Sequence, residues 1–555
     1  MAYHQLSSEV IGGKIAAVSD EFFAEAFHLL LPEPAPSLKG QFGPNGALYS
    51  GWESRRHNPA HDWCIIRLGT TGTIVGFDID TSHFNGNEAP QVSVEALHGS
   101  PTEEPQVNDS RWSAILPKID LGPNSRHLFT VAESSAVNYV KLTMYPDGGI
   151  ARFRVYGHVS PVIPADVSEL FDLAHVFAGG RVEFTSDQHF GVGSNLILPG
   201  RGKNMGGGWE TKRSRTKGHK DWVIIKLGVA GFLECVEVDT AHFKGNFPES
   251  CEIHGLYSET SINWGTHKGQ DQDWTLILSR TKLGPHRQHY LQLENVEGKV
   301  YTHIKLTIYP DGGLQRIRVL GRQSQVTSTS NSGAALLPIS GISTPVNEVA
   351  NPTAAMRRAV PVLPLTPEAF APFGKVIQAY SDPTTAPKGT KITSANAGSA
   401  MKFHKLSLLQ ASYPDELGAT AGISVYRCQP NQDVRAGGFL EVKVLERHPF
   451  TNQAFIPMGQ GSREGLRDPG LSYLIVVAQN GGDGRPDLQT VRAFLASGAQ
   501  GVVYDTAIWH QPMTVLGKAM DFACVETQIG NGSTSDCEIL ELGEAEVVKL
   551  RLPLV

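Results

Sequence analysis

Two short segments of this sequence set a carboxylate beside cations: Glu53-Ser54-Arg55-Arg56 and Glu210-Thr211-Lys212-Arg213, each directly after Gly-Trp. Such a set can hold a carboxylate and a ureido or guanidinium-like group together, because cations take the anion and the acid accepts N–H bonds. Hydrolysis of a C–N bond needs an activated water and an acid for the departing nitrogen, work open to carboxylates and imidazoles. Glu53, Glu210, His83 and His242 are the candidates for that work. Arg55, Arg56, Lys212, Arg213, Asp62 and Asp221 are candidates for binding, with His61 and His219 beside the two Asp residues. Each has a structural alternative: a repeated Trp is core, an Asp-Thr pair is a turn or cap, and a duplicated ion pair ties domains together. Nearer the C-terminus, Glu446-Arg447-His448-Pro449 with Gln453, and Trp509-His510-Gln511-Pro512, place polar groups beside apolar strands. Asn396, Lys402 and His404 form a weaker third set. Here the structural alternatives are a partly buried ion pair for Glu446-Arg447 and a satisfied imidazole beside a barrel-mouth aromatic for Trp509-His510.

The elements that must carry the first residues occur twice. Gly51-Trp52-Glu53-Ser54-Arg55-Arg56 returns as Gly208-Trp209-Glu210-Thr211-Lys212-Arg213. Asp80-Thr81-Ser82-His83-Phe84 returns as Asp239-Thr240-Ala241-His242-Phe243, and Tyr145-Pro146-Asp147-Gly148-Gly149 as Tyr309-Pro310-Asp311-Gly312-Gly313. The order is kept and the offset changes little, so residues 1–160 and 161–322 form two domains of one fold. Alternating apolar and polar residues over Val137–Tyr145 and Thr302–Tyr309 predict half-buried strands. Pro-Asp-Gly-Gly between such runs is turn chemistry. Many short strands with Gly and Pro turns predict two tandem jelly-roll β-sandwiches.

From about Gln323 to 358 the composition turns to Ser, Thr, Gly, Pro and small apolar residues, which predicts a flexible linker. Patterned sequence resumes at 359 and runs to 555. Thr366-Pro367 predicts a helix start, and Leu488–Ala496 a second helix. The remaining runs predict strands of a cupin-like β-barrel, giving a mainly β protein throughout.

The net charge of −7 and the shortness of the basic clusters argue against nucleic acid and suit small anions. The six cysteines show no CxxC pair or zinc-like spacing, which predicts buried free thiols in a reducing compartment. No apolar run is long enough to span a membrane and the first residues lack a signal core, so a soluble cytoplasmic protein is expected. Histidines and acids are numerous enough for a divalent metal to be possible, yet no tight ligand spacing appears and no cofactor is firmly implied.

The duplicated half resembles allantoicase, on the Gly-Trp-Glu, Asp-Trp, Asp-Thr-x-His-Phe-x-Gly-Asn and Tyr-Pro-Asp-Gly-Gly motifs over about 12–321. The resemblance implies jelly-roll repeats that split allantoate into urea and ureidoglycolate. The C-terminal domain resembles ureidoglycolate lyase, on Asn396–His404, Glu446-Arg447-His448-Pro449, Gln453–Met458, Arg492-Ala493-Phe494 and Trp509-His510-Gln511-Pro512. That resemblance implies a cupin-like barrel releasing urea and glyoxylate, with His510, Glu446, Arg447 and Gln453 lining the site and Lys402, His404 and Trp509 beside them. We expect Arg447 or Lys402 to bind the substrate carboxylate and His510 to handle the proton. Together the two resemblances imply a bifunctional ureide-degrading enzyme, and such enzymes commonly form homo-oligomers. Ser50 and Gly207 stand where the allantoicase pattern carries Asp before Gly-Trp-Glu, which leaves a second reading: an active lyase on a scaffold that binds small ligands or serves assembly.

Overall fold

The computed structural model describes residues 3–100, 103–264, 272–324, 359–430, 434, 436–461 and 465–553. Each half of the duplication is built on one 19-residue strand, Asp62–Asp80 in the first and Asp221–Asp239 in the second. The N-terminal part of each strand pairs with Val137–Tyr145 or Tyr301–Tyr309. After a glycine break, the C-terminal part pairs with Arg152–Val159 or Arg316–Gln323. One strand thus serves both layers of a sandwich, and glycine permits the crossing. A Cβ on Gly69 would fall 2.5 Å from the Ile11 carbonyl oxygen, and one on Gly228 would fall 1.8 Å from that of Ala178. Alternate side chains of these strands (Ile66, Leu142, Phe153 and Val155, with Ile225, Leu306, Ile317 and Val319) fill one apolar core, as a period of two demands. Trp52 and Trp209 are buried in it.

The Pro-Asp-Gly-Gly turns form as expected, with Gly148 at φ 142° and Gly312 at φ 129°. They lead into two-residue strands, Gly149–Ile150 and Gly313–Leu314, which pair with Trp52–Glu53 and Trp209–Glu210. The repeated motifs therefore meet through the backbone as well as through sequence.

The C-terminal domain is a two-sheet barrel. The smaller sheet runs Gly374–Ile377, Gly501–Tyr504, Gln453–Met458, Met520–Gln528, Thr420–Cys428. The larger holds Ser472–Ala478 at its centre, between Arg492–Ser497 and Trp509–His510. Thr366 caps the short helix Pro367–Phe370, its hydroxyl accepting from the Ala369 amide at 3.3 Å. The expected helix over Leu488–Ala496 is not one: a single 3-10 turn, Leu488–Thr490, precedes the strand Arg492–Ser497. That strand has apolar cores on both faces, with Phe494 in one and Ala493 in the other, so its sequence lacks alternation.

Gln323, placed at the head of the linker by composition, ends the last strand of the second sandwich and donates to the Pro164 carbonyl at 2.9 Å. Residues 325–358, the rest of that expected linker, lie outside the described residues. No disulfide forms among the described residues; Cys64, Cys235, Cys251 and Cys524 are buried, whereas Cys428 and Cys537 are only half-buried. No helix among the described residues is long and apolar enough to cross a membrane.

Candidate functional site

In the first repeat the Trp52–Glu53 strand aims Glu53 inward, where it is 6% exposed. Its carboxylate accepts from Asn87 Nδ2 at 2.9 Å and Arg56 Nη2 at 3.4 Å. Arg56 also donates to Asp147 Oδ1 at 3.1 Å and to the Asn87 carbonyl at 2.7 Å. Burial raises the Glu53 pKa, against the opposing Asn87 bond and Arg56 charge. The second repeat rebuilds this set: Asn246 Nδ2 donates to Glu210 at 2.6 Å, and Arg213 Nη1 to Asp311 Oδ1 at 3.2 Å. Asn87, Asn246, Asp147 and Asp311 were visible only as members of repeated motifs; the structure makes the asparagines direct partners of the candidate acids and the aspartates direct partners of the candidate arginines.

Other predicted residues lie outside these clusters. Arg55 clasps Asp20, with Nε–Oδ2 at 2.7 Å, and Lys212 hydrogen-bonds Asp187 through its backbone amide at 3.0 Å. Asp62 accepts from Ser19 Oγ at 2.8 Å, and Asp221 from Ser186 Oγ at 2.7 Å and His219 Nε2 at 3.0 Å. The His61 ring lies 5.6 Å from that of Tyr145. His83 and His242 occupy left-handed backbone positions, φ 71° and 68°. Their rings bond loop carbonyls, Ala35 at 2.9 Å and Gly202 at 3.1 Å. The structure thus gathers Glu53 with Arg56, ties Arg213 to the Gly245 carbonyl and Glu210 to Asn246 on the same loop, and leaves the two imidazoles on separate loops.

Ser50 and Gly207 turn out to flank buried arginines. Arg152 donates to the Ser50 carbonyl at 3.0 Å and to its hydroxyl at 3.1 Å. Arg316 donates to the Gly207 carbonyl at 2.6 Å. Each guanidinium is 1% exposed, and burial lowers the pKa of both, Arg316 to about 10. An Asp at 50 or 207 would therefore place a carboxylate close to a guanidinium whose hydrogen bonds go to carbonyls and a hydroxyl.

The C-terminal domain holds a more enclosed set. Glu446, from Val444–Arg447, stands opposite His510, from Trp509–His510, in register. Glu446 Oε1 lies 3.7 Å from His510 Nε2, and burial raises the Glu446 pKa. His510 Nδ1 bonds the Ile508 carbonyl at 2.9 Å, and His448 Nδ1 bonds the Asp536 carbonyl at 2.7 Å. A carbonyl only accepts, so both imidazoles carry a proton on Nδ1, and a neutral ring in that tautomer presents its lone pair at Nε2. Both Nε2 atoms are buried without a hydrogen-bond partner. Burial and the neighbouring His448 push the His510 pKa down to about 3, which keeps it neutral. Its ring stacks on Tyr504 at 4.0 Å. Gln453 reaches the same place, donating to Glu526 at 2.9 Å, and Glu526 lies 3.7 Å from His448 Nδ1. His448 and Glu526 were not singled out from the sequence, although His448 sat inside a noted motif.

Donor atoms of Glu446, His448 and His510 lie within 4.8 Å of one another. Two imidazoles and one carboxylate suit a divalent transition metal. The orphaned buried Nε2 pair fits that use, because such lone pairs are costly without a cation or donor.

Arg447 and Trp509 do not enter this pocket. Each neighbours a pocket residue along its strand and so points to the opposite face. There the Arg447 guanidinium lies 4.7 Å over the Trp509 ring and donates to Glu538 at 2.7 Å and Asn480 at 2.8 Å. Gln511 bonds Thr514 at 2.9 Å. Asn396 and Lys402 line a separate open cleft of about 530 Å³ on the 391–404 hairpin, where His404 Nε2 bonds Thr393 at 2.7 Å.

Comparison with known proteins gives two family matches. The allantoicase repeat model matches residues 4–160 and 171–324, and the ureidoglycolate lyase model matches 357–549. A probable allantoicase of Schizosaccharomyces pombe is 48% identical over 324 residues, 58% of this chain and 92% of that protein. The allantoicase of Saccharomyces cerevisiae is 45% identical over 318 residues, covering 56% and 91%. The crystal structure of the Saccharomyces cerevisiae allantoicase superposes with a TM-score of 0.50 at 41% identity, covering 57% of this chain and 93% of that one.

Proposed function

This chain belongs to the allantoicase family, and we propose from that premise how its residues divide the chemistry of a bifunctional ureide-degrading enzyme. The repeats hydrolyse allantoate to ureidoglycolate and urea; the C-terminal domain cleaves ureidoglycolate to glyoxylate and urea. The observation that carries the reading is the succession of the two family matches in one chain, the product of the first step being the substrate of the second.

In the repeats, Glu53 and Glu210 are the acid–base groups. Asn87 and Asn246 orient their carboxylates, and Arg56 and Arg213 supply positive charge for the carboxylate of allantoate. Burial favours the acid form of Glu53, which suits donation to a departing urea nitrogen. In the C-terminal pocket the substrate hydroxyl must lose a proton as its carbon becomes a carbonyl, and the urea nitrogen must gain one. The neutral His510 offers its Nε2 lone pair for the first transfer, and Glu446, its pKa raised, can return a proton to urea. Were Glu446, His448 and His510 to hold a divalent cation, the imidazole lone pairs would serve as ligands instead, and the cation would supply Lewis-acid polarisation of the hydroxyl and carboxylate oxygens. Gln453, with an unpaired Oε1 in the same pocket, is placed to accept a ureido N–H.

We assign the protein to the cytoplasm, which six cysteines without a disulfide among the described residues support. We also assign it a homo-oligomeric state, supported by Ile423 and Val425 exposed on an edge strand of the smaller barrel sheet. The test is to supply allantoate and follow urea and glyoxylate together. Two ureas per glyoxylate, above the spontaneous decay of ureidoglycolate, is the expected result. No urea from allantoate, with glyoxylate still formed from ureidoglycolate, would overturn the first half of the proposal.

A further inference from the structure

The second repeat carries charges that the first lacks. Shared backbone hydrogen bonds align the repeats residue by residue. Thr81 N–H to the Ser125 carbonyl matches Thr240 N–H to the Arg287 carbonyl, both at 2.9 Å. Val131 N–H to the Val75 carbonyl matches Leu293 N–H to the Glu234 carbonyl, both at 3.0 Å. On this alignment Glu234, Lys244, Arg287 and Glu294 replace Val75, Asn85, Ser125 and Ala132.

Each of these charges meets an opposite charge of the C-terminal domain. Lys244 Nζ lies 2.7 Å from Asp382, Arg287 lies 3.4 Å from Glu368, and Glu294 lies 2.9 Å from Arg492. The Arg551 guanidinium lies against Glu234. Arg287 also donates to the Thr385 carbonyl and stands 5.4 Å over the Tyr380 ring. The approach is close: a Cβ on Gly284 would fall 2.1 Å from Glu368 Oε1, whereas the matching Gly122 has only His127 and Ser125 of its own repeat nearby. His289 is fully buried under the contact, while its counterpart His127 is only half-buried. Ala369, beside Glu368, packs against the cores of both the repeats and the barrel.

We propose that this face of the second repeat is a dedicated docking surface for the lyase domain of the same chain, fixing one barrel to each pair of repeats. Ion pairs add little net strength singly, since exposed ones are screened and buried ones cost desolvation, but complementary patterns select a partner and an orientation. The face offers two cations and two anions to the reverse set, so a rotated or shifted domain would bring like charges together. The first repeat, uncharged at all four positions, offers no such match. Lys244 lies two residues before Asn246, so the docked domain abuts the loop that orients Glu210. The inference stands independently of either catalytic assignment.

A protease site placed within 325–358 of the full chain, cut after purification, tests it. The two pieces should co-elute at low ionic strength and separate at high salt. Glu294→Arg should weaken their association about tenfold, and Glu294→Arg with Arg492→Glu should restore it. Restoration by the paired reversal distinguishes lost docking from misfolding. Pieces that part at low salt, or a Glu294→Arg chain that associates like the parent, would overturn the proposal. So would retention of a tagged barrel by the repeats of an untagged copy mixed in before cutting, which would mean exchange between chains.

Discussion

At the scale of single residues, the decisive feature is a pair of stacked imidazoles that each donate from Nδ1 to a backbone carbonyl and whose other nitrogens are buried without a hydrogen-bond partner. His510→Gln should slow glyoxylate formation from ureidoglycolate by about 10²-fold or more while sparing urea release from allantoate, read by separate assays with each substrate. If the pocket holds a metal, the chain should bind about one equivalent of nickel, manganese or zinc by calorimetry after chelation, and Glu446→Gln should weaken that binding about tenfold or more. Acid sensitivity follows from the same burial. The folded His510 titrates near 3 against an ordinary 6.5, so the unfolded chain takes up its proton first as pH falls. The stability it contributes is complete above the ordinary value and is lost toward the folded one, at up to about 1.4 kcal/mol per pH unit. The urea midpoint of the barrel should therefore fall more between pH 7 and 5 in the parent than in His510→Gln. In the repeats, Glu53→Gln with Glu210→Gln should cut urea release from allantoate about 10²-fold and leave cleavage of ureidoglycolate intact.

The secondary-structure elements explain why neighbours in sequence part company in space. Glu446 and Arg447 share a strand, as do Trp509 and His510, and the period of two sends one of each pair to the pocket and the other to the opposite face. Arg447 thus packs on Trp509 and bonds Glu538. Arg447→Ala is expected to destabilise the barrel by about 1–3 kcal/mol, seen in denaturant unfolding, with little change in KM for ureidoglycolate. A large KM increase in a stable variant would return Arg447 to the carboxylate. The same reasoning accounts for Arg492–Ser497, whose apolar residues face two cores and imitate a helix in sequence.

For the whole molecule, the duplication gives two sandwiches that differ most tellingly in charge. The first repeat keeps Val75, Asn85, Ser125 and Ala132 where the second places its four partners for the barrel. The chain therefore gains an asymmetric assembly from a symmetric duplication, with the barrel docked beside the loop of Asn246. A tether alone would keep the two activities at equal abundance; docking also fixes their separation.

The sequence by itself determined the duplication and the two β architectures, because repeated motifs, alternation and turn chemistry are local signals that survive in one dimension; both activities were legible only through the resemblance of its motifs to two families. It also supplied Glu53, Glu210, Glu446, Gln453 and His510 as candidates through residue type and spacing. Only the tertiary structure decided which of them meet. The partnership of His448 with His510 depends on which strands lie side by side, and the exclusion of Arg447 and Trp509 depends on which face each strand turns inward. The docking charges were legible as letters, but their meaning required a partner surface hundreds of residues away in the chain.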